Sequence, residues 1–266
     1  VEWGGDATSG YTLSITAPDS YKLMDDVTIS SMTVSAKDAV IDGNKDTYTL
    51  TLSGTKAQQG VITVNNGATL QNLNVVAAED AAFGTAIMVN SGNLTDSTID
   101  LSNQNAQPSS DTGRMSAIAV SVKKGDISRN TIQAVNSEKS SSQCVVVNGD
   151  GVTVSGNTLT TGKSAEGTSG SVGIRLSGVS TTTIITNNHI TSTKGAGLNN
   201  GIAADGVVKT DVTITASGNT FVLAATEYGG GAFYVNPGTD GTTVTINAEG
   251  NTVESAASFI YADNAE

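Results

Sequence analysis

The chain is poor in cysteine, proline, aromatic residues and positive charge. Its one cysteine, Cys144, excludes an intrachain disulfide and a cysteine-based zinc cluster. Only 4% of the residues are aromatic, and 13 Lys and Arg face 25 Asp and Glu, which gives a net charge of −12. Because no basic patch is present to displace counterions from phosphates, this balance argues against a nucleic-acid partner and an anionic membrane surface.

Long apolar runs are also absent, so we expect no membrane insertion. The first residues, VEWGGDATSG, lack the features of a signal peptide, which leaves a cytosolic chain or the mature piece of a longer protein. The last residues, FIYADNAE, stop where another strand is forming, which favours the longer protein. The low lysine content and the many Thr, Ser and Asn residues favour an extracellular or cell-surface location.

What is abundant is a mixture that suits short strands and tight turns. The chain has 30 Gly and only 3 Pro, and Ser, Thr and Asn are frequent. In residues 1–58, alternating segments at Tyr11–Thr16, Val27–Ala36 and Tyr48–Gly54 predict strands, with a bend in Ala39–Thr47. We interpret residues 1–58 as an N-terminal cap with the first coils, and residues 59–266 as regular coils of the same structural domain.

From Gly60 onward the sequence repeats itself. A first strand recurs in the segments VITVN, AIMVN, AIAVS, CVVVN, GIRLS, GIAAD, AFYVN and FIYAD. The second residues of these segments are separated by 25 (Ile62 to Ile87) to 31 residues (Ile87 to Ile118). A second strand, an Asn and a third strand follow in most coils, as in VTVSGNTLTT and TTIITNNHITST. A period of this size predicts a solenoid and not a globular α/β domain.

Three strands per coil and one variable loop resemble the right-handed parallel β-helix of the pectate-lyase-like superfamily. The resemblance covers roughly residues 60–263 and rests on the pattern G-I-x-V-N…V-T-I-x-x-N-x-I. It implies an all-β, right-handed, single-stranded parallel β-helix with three sheets. It implies little about activity, because lyases, hydrolases, adhesins and viral spikes share the architecture.

Stacked coils should place equivalent side chains in vertical files, about 4.8 Å apart. We predict an inward file for each sheet. The first is Ile62, Ile87, Ile118, Val145, Ile174, Ile202, Phe233 and Ile260. The second is Leu70, Leu94, Ile127, Val154, Ile185, Ile214 and Ile246. The third is Val75, Ile99, Ile132, Leu159, Ile190, Phe221 and Val253.

Polar residues form two further columns. A structural Asn ladder is predicted, because stacked amides both donate and accept; it comprises Asn130, Asn157, Asn188, Asn219 and Asn251, with Ser97 and Leu73 at the earlier coils. Turn-forming residues close the first strands; they are Asn65, Asn90, Ser121, Asn148, Ser177, Asp205, Asn236 and Asp263.

In the resembling family, ligands bind on the outside of the first sheet. The outward row predicted there is Thr63, Met88, Ala119, Val146, Arg175, Ala203, Tyr234 and Tyr261. The ligand-binding candidates lie on the adjoining coils of its last third, both in the row and at the strand ends beside it; they are Arg175, Asp205, Tyr234, Asn236, Tyr261 and Asp263. The alternative for the apolar members of the row is that a variable loop or a neighbouring domain covers them.

A catalytic alternative uses Arg175, Asp205 and Asp263. Asp205 and Asp263 lie two coils apart, about 9–10 Å, near the 6.5–9.5 Å that separates the carboxyl groups of inverting glycosidases. However, the paired calcium-binding aspartates of the pectate lyases and the Asn-Thr-Asp, Asp-Asp and Gly-His-Gly set of the polygalacturonases are absent. The only histidine, His189, is expected on the surface of a different sheet. No cofactor is expected, although calcium at the loop Asp205–Asp211 stays open.

These observations favour a non-catalytic extracellular or cell-surface β-helix that is adhesin-like or glycan-binding. Its partner would be a carbohydrate or a host or cell-surface protein, through tyrosine rings on the solenoid face. The alternative function is a polysaccharide lyase or a glycoside hydrolase that acts on the same face.

Overall fold

The computed structural model describes residues 2–45, 47–53, 60–79, 81, 83–104, 117–136, 141–163, 170–177, 182–193, 198–205, 212–226, 229–236 and 243–262. These residues form 28 strands, numbered in chain order. They are β1 (Glu2–Asp6), β2 (Gly10–Ile15), β3 (Ser20–Lys22), β4 (Val27–Val34), β5 (Val40–Asp42), β6 (Leu50–Leu52), β7 (Gly60–Val64), β8 (Ala68–Gln71), β9 (Asn74–Ala77), β10 (Thr85–Val89), β11 (Gly92–Thr95), β12 (Thr98–Asp100), β13 (Ala117–Val122), β14 (Asp126–Ser128), β15 (Thr131–Gln133), β16 (Ser142–Val147), β17 (Thr153–Ser155), β18 (Thr158–Thr161), β19 (Ser171–Leu176), β20 (Thr182–Thr186), β21 (His189–Ser192), β22 (Asn199–Asp205), β23 (Val212–Ser217), β24 (Thr220–Leu223), β25 (Phe233–Asn236), β26 (Val244–Glu249), β27 (Thr252–Ser255) and β28 (Ile260–Ala262). Within the ranges just given, no helix is long and apolar enough to cross a membrane.

The strands wind into a right-handed parallel β-helix, as the sequence predicts. The first sheet stacks β7, β10, β13, β16, β19, β22, β25 and β28. The second sheet stacks β3, β5, β8, β11, β14, β17, β20, β23 and β26. The third sheet stacks β6, β9, β12, β15, β18, β21, β24 and β27. Each strand therefore pairs with its equivalent one coil away.

The N-terminal region joins the first and third sheets. β1 pairs with β2 in antiparallel register, and β2 pairs with β4 in parallel register. The eight-residue β4 then serves both sheets, because its first half pairs with β6 and its second half with β7. The solenoid thus starts within the first 58 residues, and β1 adds an antiparallel strand at the N-terminal edge of the first sheet.

The third inward file matches the prediction at every coil. β-Ladder pairing aligns Val75, Ile99, Ile132, Leu159, Ile190, Phe221 and Val253. All of them are buried except Val253, which is half-buried near the C-terminal end. The short, regular strand after each Asn fixes this register without ambiguity.

The first inward file is wrong at one coil. Ile87 pairs with Val120 and not with Ile118, which pairs with Thr85 and Gln143. The residue of β13 that belongs to the outward row is consequently Ser121, which pairs with Met88. Ala119, which was predicted to face outward, is buried. Ile118 is level with Val172, which packs with Ala203 and Tyr234 on the outer face, whereas the adjacent Ala119 and Val120 are both buried in the core. The strand therefore departs from strict alternation at this point, and the hydrophobic pattern does not give its register.

The second inward file contains the same kind of error. Ile185 is level with Ala216, whereas Ile214 is level with Thr183. Ala216 pairs in turn with Ala248, and Ile214 with Ile246. The Asn ladder gives the correct alignment, because Ile185 and Ala216 each precede their ladder asparagine by three residues.

Thr183 is a polar residue in this apolar file. Its side chain is fully buried, and among the described residues its hydroxyl group has no hydrogen-bond partner. Replacing Thr183 by the isosteric valine should raise the free energy of unfolding by about 1 kcal/mol, because the desolvated hydroxyl disappears. Urea unfolding checks this. The control is Thr186→Val on the outer face of the same strand, and a destabilised Thr183→Val variant would contradict the prediction.

The predicted Asn ladder is present. The side-chain oxygen of Asn157 accepts the backbone N–H of Asn130 at 2.9 Å and its amide at 3.0 Å. Asn188 does the same for Asn157, and Asn219 for Asn188. Each amide also donates to a backbone carbonyl of the second sheet, as Asn188 does to Val154. The ladder thus satisfies the backbone at the bend between the second and third sheets.

The residue before each ladder position adopts a left-handed backbone conformation, which the sequence analysis did not identify. The φ angle lies between 52° and 66° at these positions, which are Asn72, Asp96, Arg129, Gly156, Asn187, Gly218 and Gly250. Gly and Asn adopt this conformation most readily. Arg129 is the exception, and its guanidinium forms two hydrogen bonds with the Asp96 carboxylate, at 2.7 and 2.8 Å.

The Arg129 side chain, together with the Thr95 hydroxyl, lowers the pKa of Asp96 to about 2. Because the folded-state pKa lies below that of the unfolded chain, the stabilisation is present above about pH 4 and is lost as the pH falls towards 2. We therefore expect wild type to be more stable than Arg129→Gln at pH 6, and the difference to vanish near pH 2 and shrink in 1 M salt. Urea unfolding of both proteins across this range measures it, and a difference that is independent of pH would contradict it.

Small residues occupy the position before the first inward file. Ala86, Cys144 and Ala232 are fully buried there, and Gly173 and Gly201 take the same position in two other coils. Burial raises the pKa of the Cys144 thiol, so the thiolate does not form under ordinary conditions. Cys144 is accordingly a core residue and not a reactive one.

Candidate functional site

The outer face of the first sheet carries one continuous row of side chains. Strand register aligns Thr63, Met88, Ser121, Val146, Arg175, Ala203, Tyr234 and Tyr261. Ser121 replaces the predicted Ala119, for the reason given above. Beyond Met88 this row is not an open surface throughout, because Val146 and Tyr234 are only 4% and 7% exposed. The polar end of the row is therefore partly enclosed.

Arg175 and Asp205 form an ion pair on this face. Arg175 Nη2 lies 2.9 Å from Asp205 Oδ2, and the two side chains are 21% and 17% exposed. Arg175 is level with Ala203, so Asp205 is two residues further along the neighbouring strand. Because the alanine side chain is short, the guanidinium reaches across it. Arg175 Nε is buried and has no partner among the described residues.

Tyr234 and Tyr261 stack directly above the ion pair. Their ring centroids are 5.8 Å apart and their planes differ by 16°. Tyr234 is buried against Val172 and Ala203 in a small apolar cluster that is separate from the main core. Tyr261 is 36% exposed, so one ring supports the other and the outer ring meets solvent. The register predicts this pairing, but Val172 was missed because it lies outside the predicted row.

Asn236 lies at the edge of the tyrosine pair. It is level with Asp205 on the next strand, and its side-chain amide donates to the Tyr234 hydroxyl at 3.5 Å. The structure therefore brings five of the six predicted site residues onto adjoining strands. The sixth, Asp263, lies outside the described residues. The proposed carboxylate pair with Asp205 thus remains a prediction.

The described residues contain no group of three or more His, Cys, Asp or Glu side chains that could hold a metal ion. Residues 206–211 of the calcium loop predicted at Asp205–Asp211 lie outside the described ranges. His189 lies on β21 in the third sheet, where its side chain is exposed, as expected.

The ion pair limits the chemistry of the site. The guanidinium presents several N–H donors in a fixed plane and the carboxylate presents two acceptor oxygens, and the contact of 2.9 Å joins one of each. The Arg175–Asp205 pair is thus suited to orienting polar groups, and the exposed Tyr261 ring to contacting an apolar face.

No family model matches this chain, and no curated protein matches its sequence. The chain is therefore identified by its architecture, a right-handed parallel β-helix, and its membership of the pectate-lyase-like superfamily stays a prediction.

Proposed function

We propose that this chain is a non-catalytic, glycan-binding β-helix module of an extracellular or cell-surface protein, with an adhesin-like role. The observation that carries the proposal is the juxtaposition of the stacked tyrosines with the Arg175–Asp205 pair on one solenoid face. Sugar rings have an apolar face that stacks on an aromatic ring and hydroxyl groups at their edge that need donors and acceptors. Tyr261 supplies the aromatic ring, and Arg175, Asp205 and Asn236 supply the hydrogen-bond donors and acceptors.

The rigidity of the tyrosine platform, which is the stacked pair of Tyr234 and Tyr261, supports binding. Tyr234 is held by its apolar cluster beneath Tyr261, and the ion pair is fixed by two paired strands. A preorganised site loses little conformational entropy when a ligand binds. The acidic, Thr- and Ser-rich surface supports a location outside the cell.

The alternative function is a polysaccharide lyase or glycoside hydrolase that uses Arg175, Asp205 and Asp263. The ion pair speaks against it, because an arginine bonded to a carboxylate is a poor base and Asp205 is already engaged. Turnover of an acidic or neutral polysaccharide that is lost in Asp205→Asn would establish the enzyme and overturn the binding module.

A glycan-array screen, followed by calorimetry with each glycan that binds, tests the proposal. We expect Tyr261→Ala to weaken the binding at least about tenfold, equivalent to about 1.4 kcal/mol. Tyr48→Ala, which removes a half-buried tyrosine of the N-terminal region, is the matched control and should bind like wild type. Absence of binding to any glycan, or full binding by Tyr261→Ala, would contradict the proposal. Attachment to cells that survives removal of their glycans would indicate a cell-surface protein as partner instead.

A further inference from the structure

The N-terminal end of the solenoid contains an apolar cavity of about 150 Å³, far from the tyrosine platform. Its walls come from five strands, β2 to β6, with Leu23 and Leu73 from the turns; they include Leu13, Ile15, Met32, Ile41 and Leu50. Leu50 and Met32 are almost fully buried, and Leu13 and Ile41 are 8% and 7% exposed. The cavity thus continues the hydrophobic core and opens to solvent at the end of the solenoid, beside the half-buried Leu23 and the exposed Lys22.

Strand topology explains why the core is unfilled at this end. The first sheet is extended at its N-terminal end by β2, through β4, and the second sheet begins with β3. Among the described strands, the third sheet begins one level later, with the first half of β4 and with β6. At the level of β2 and β3 no third strand is therefore described whose inward side chains would fill the core.

The chemistry of the walls favours an apolar occupant. The Tyr21 hydroxyl, the one hydroxyl of the lining, donates to the backbone oxygen of Ala17 at 2.8 Å. Lys22, the one charged residue of the lining, is exposed. Water against these walls would find few hydrogen-bond partners, whereas an apolar molecule would remove its own surface and that of the walls from water.

We propose that this cavity is a binding site for a compact apolar small molecule of about the size of benzene. The position of the site, at the opposite end of the solenoid from Tyr261, makes it independent of the proposed glycan-binding function. Filling the cavity would also complete the core at the capped end and stabilise the folded chain by mass action.

Methionine methyl groups provide the probe, because Met32 lines the cavity, whereas Met24 is 71% exposed and Met88 lies on the outer face of the first sheet. Benzene is titrated into the full chain, labelled with ¹³C at the methionine methyl groups, and the methyl signals are followed by NMR. We expect a saturable ring-current shift of the Met32 signal and unchanged Met24 and Met88 signals. Equal, non-saturating shifts of all three signals, or no shift of Met32, would overturn the proposal.

A cavity-filling variant provides the second test. Leu23→Phe adds volume to a half-buried wall residue and should abolish the Met32 shift, whereas Met24→Phe adds the same ring outside the cavity and should leave the shift intact. Thermal unfolding establishes that both variants fold. Xenon bound in the cavity of wild-type crystals under pressure supports the site independently of any variant. Ordered water in the cavity in place of xenon would contradict it.

Discussion

Asn188→Ala should lower the free energy of unfolding by about 3–5 kcal/mol. The Asn188 side-chain oxygen accepts two hydrogen bonds from Asn157, one from the backbone N–H and one from the amide. Its own amide donates to Asn219 and to the Val154 carbonyl. Truncation leaves these buried groups without partners and without access to water, and each such group costs about 1–3 kcal/mol.

Urea unfolding measures the loss, and two variants calibrate it. Asn251→Ala removes the last, half-buried rung of the ladder, where water replaces part of the lost bonding, so we expect a smaller effect. Asn247→Ala removes an exposed asparagine from the outer face of β26 and should change the free energy of unfolding by about 0.5 kcal/mol or less. If Asn188→Ala were as stable as Asn247→Ala, the ladder would not be a structural element of this fold.

Gly201→Ala should destabilise the chain by about 3 kcal/mol, at the upper end of the cost of overpacking. A Cβ at residue 201 would overlap Phe221 Cδ1 and lie 2.7 Å from the Ala232 carbonyl oxygen. Phe221 cannot move aside easily, because its ring is fully buried and packs edge-on against Phe233 with centroids 5.4 Å apart. The coil accommodates this large ring only because residue 201 has no side chain.

A double-mutant cycle tests this cause. Phe221→Val removes the ring atoms that the new methyl group meets, so Gly201→Ala combined with Phe221→Val should cost at least about 1 kcal/mol less than the sum of the two single variants. Gly4→Ala is the control, because its Cβ would lie 3.8 Å from the nearest atom, and it should be close to neutral. Strictly additive effects would indicate that backbone strain, and not the contact with Phe221, is responsible.

The sequence predicts the architecture because one signal anchors each coil. In the five later coils a ladder asparagine marks the bend before the third strand, and Ser97 and Leu73 take its place in the two earlier ones. A strand of three or four residues follows at once in each coil, which leaves the file from Val75 to Val253 little freedom to slip. The longer first and second strands contain several apolar residues on one face. There, Val120 was confused with Ile118, where the strand departs from strict alternation, and Ala216 with Ile214, which shares its orientation.

Other features depend on the third dimension and leave little trace in the sequence. Arg175 and Asp205 are both predicted site residues, but their ion pair depends on the short side chain of Ala203 between them. The partial enclosure of Tyr234 depends on Val172, which belongs to no predicted row. The left-handed position before each ladder asparagine is visible as a column of Gly, Asn and Asp, and only Arg129 disguises it. The N-terminal cavity follows from an absent third strand, which no composition reveals.

The most direct test of this account is the distance between residues that only a stacked solenoid brings together. Asn157 and Asn188 are 31 positions apart in the chain, and their side-chain amides lie within hydrogen-bonding distance at 2.9 Å. In an isotope-edited NOE spectrum, we predict cross-peaks between the side-chain amide protons of Asn157 and Asn188, and likewise of Asn188 and Asn219. Absence of these cross-peaks, together with strong Hα–Hα contacts between successive segments as in a two-layer antiparallel sandwich, would contradict the parallel β-helix and the face on which the binding site is proposed.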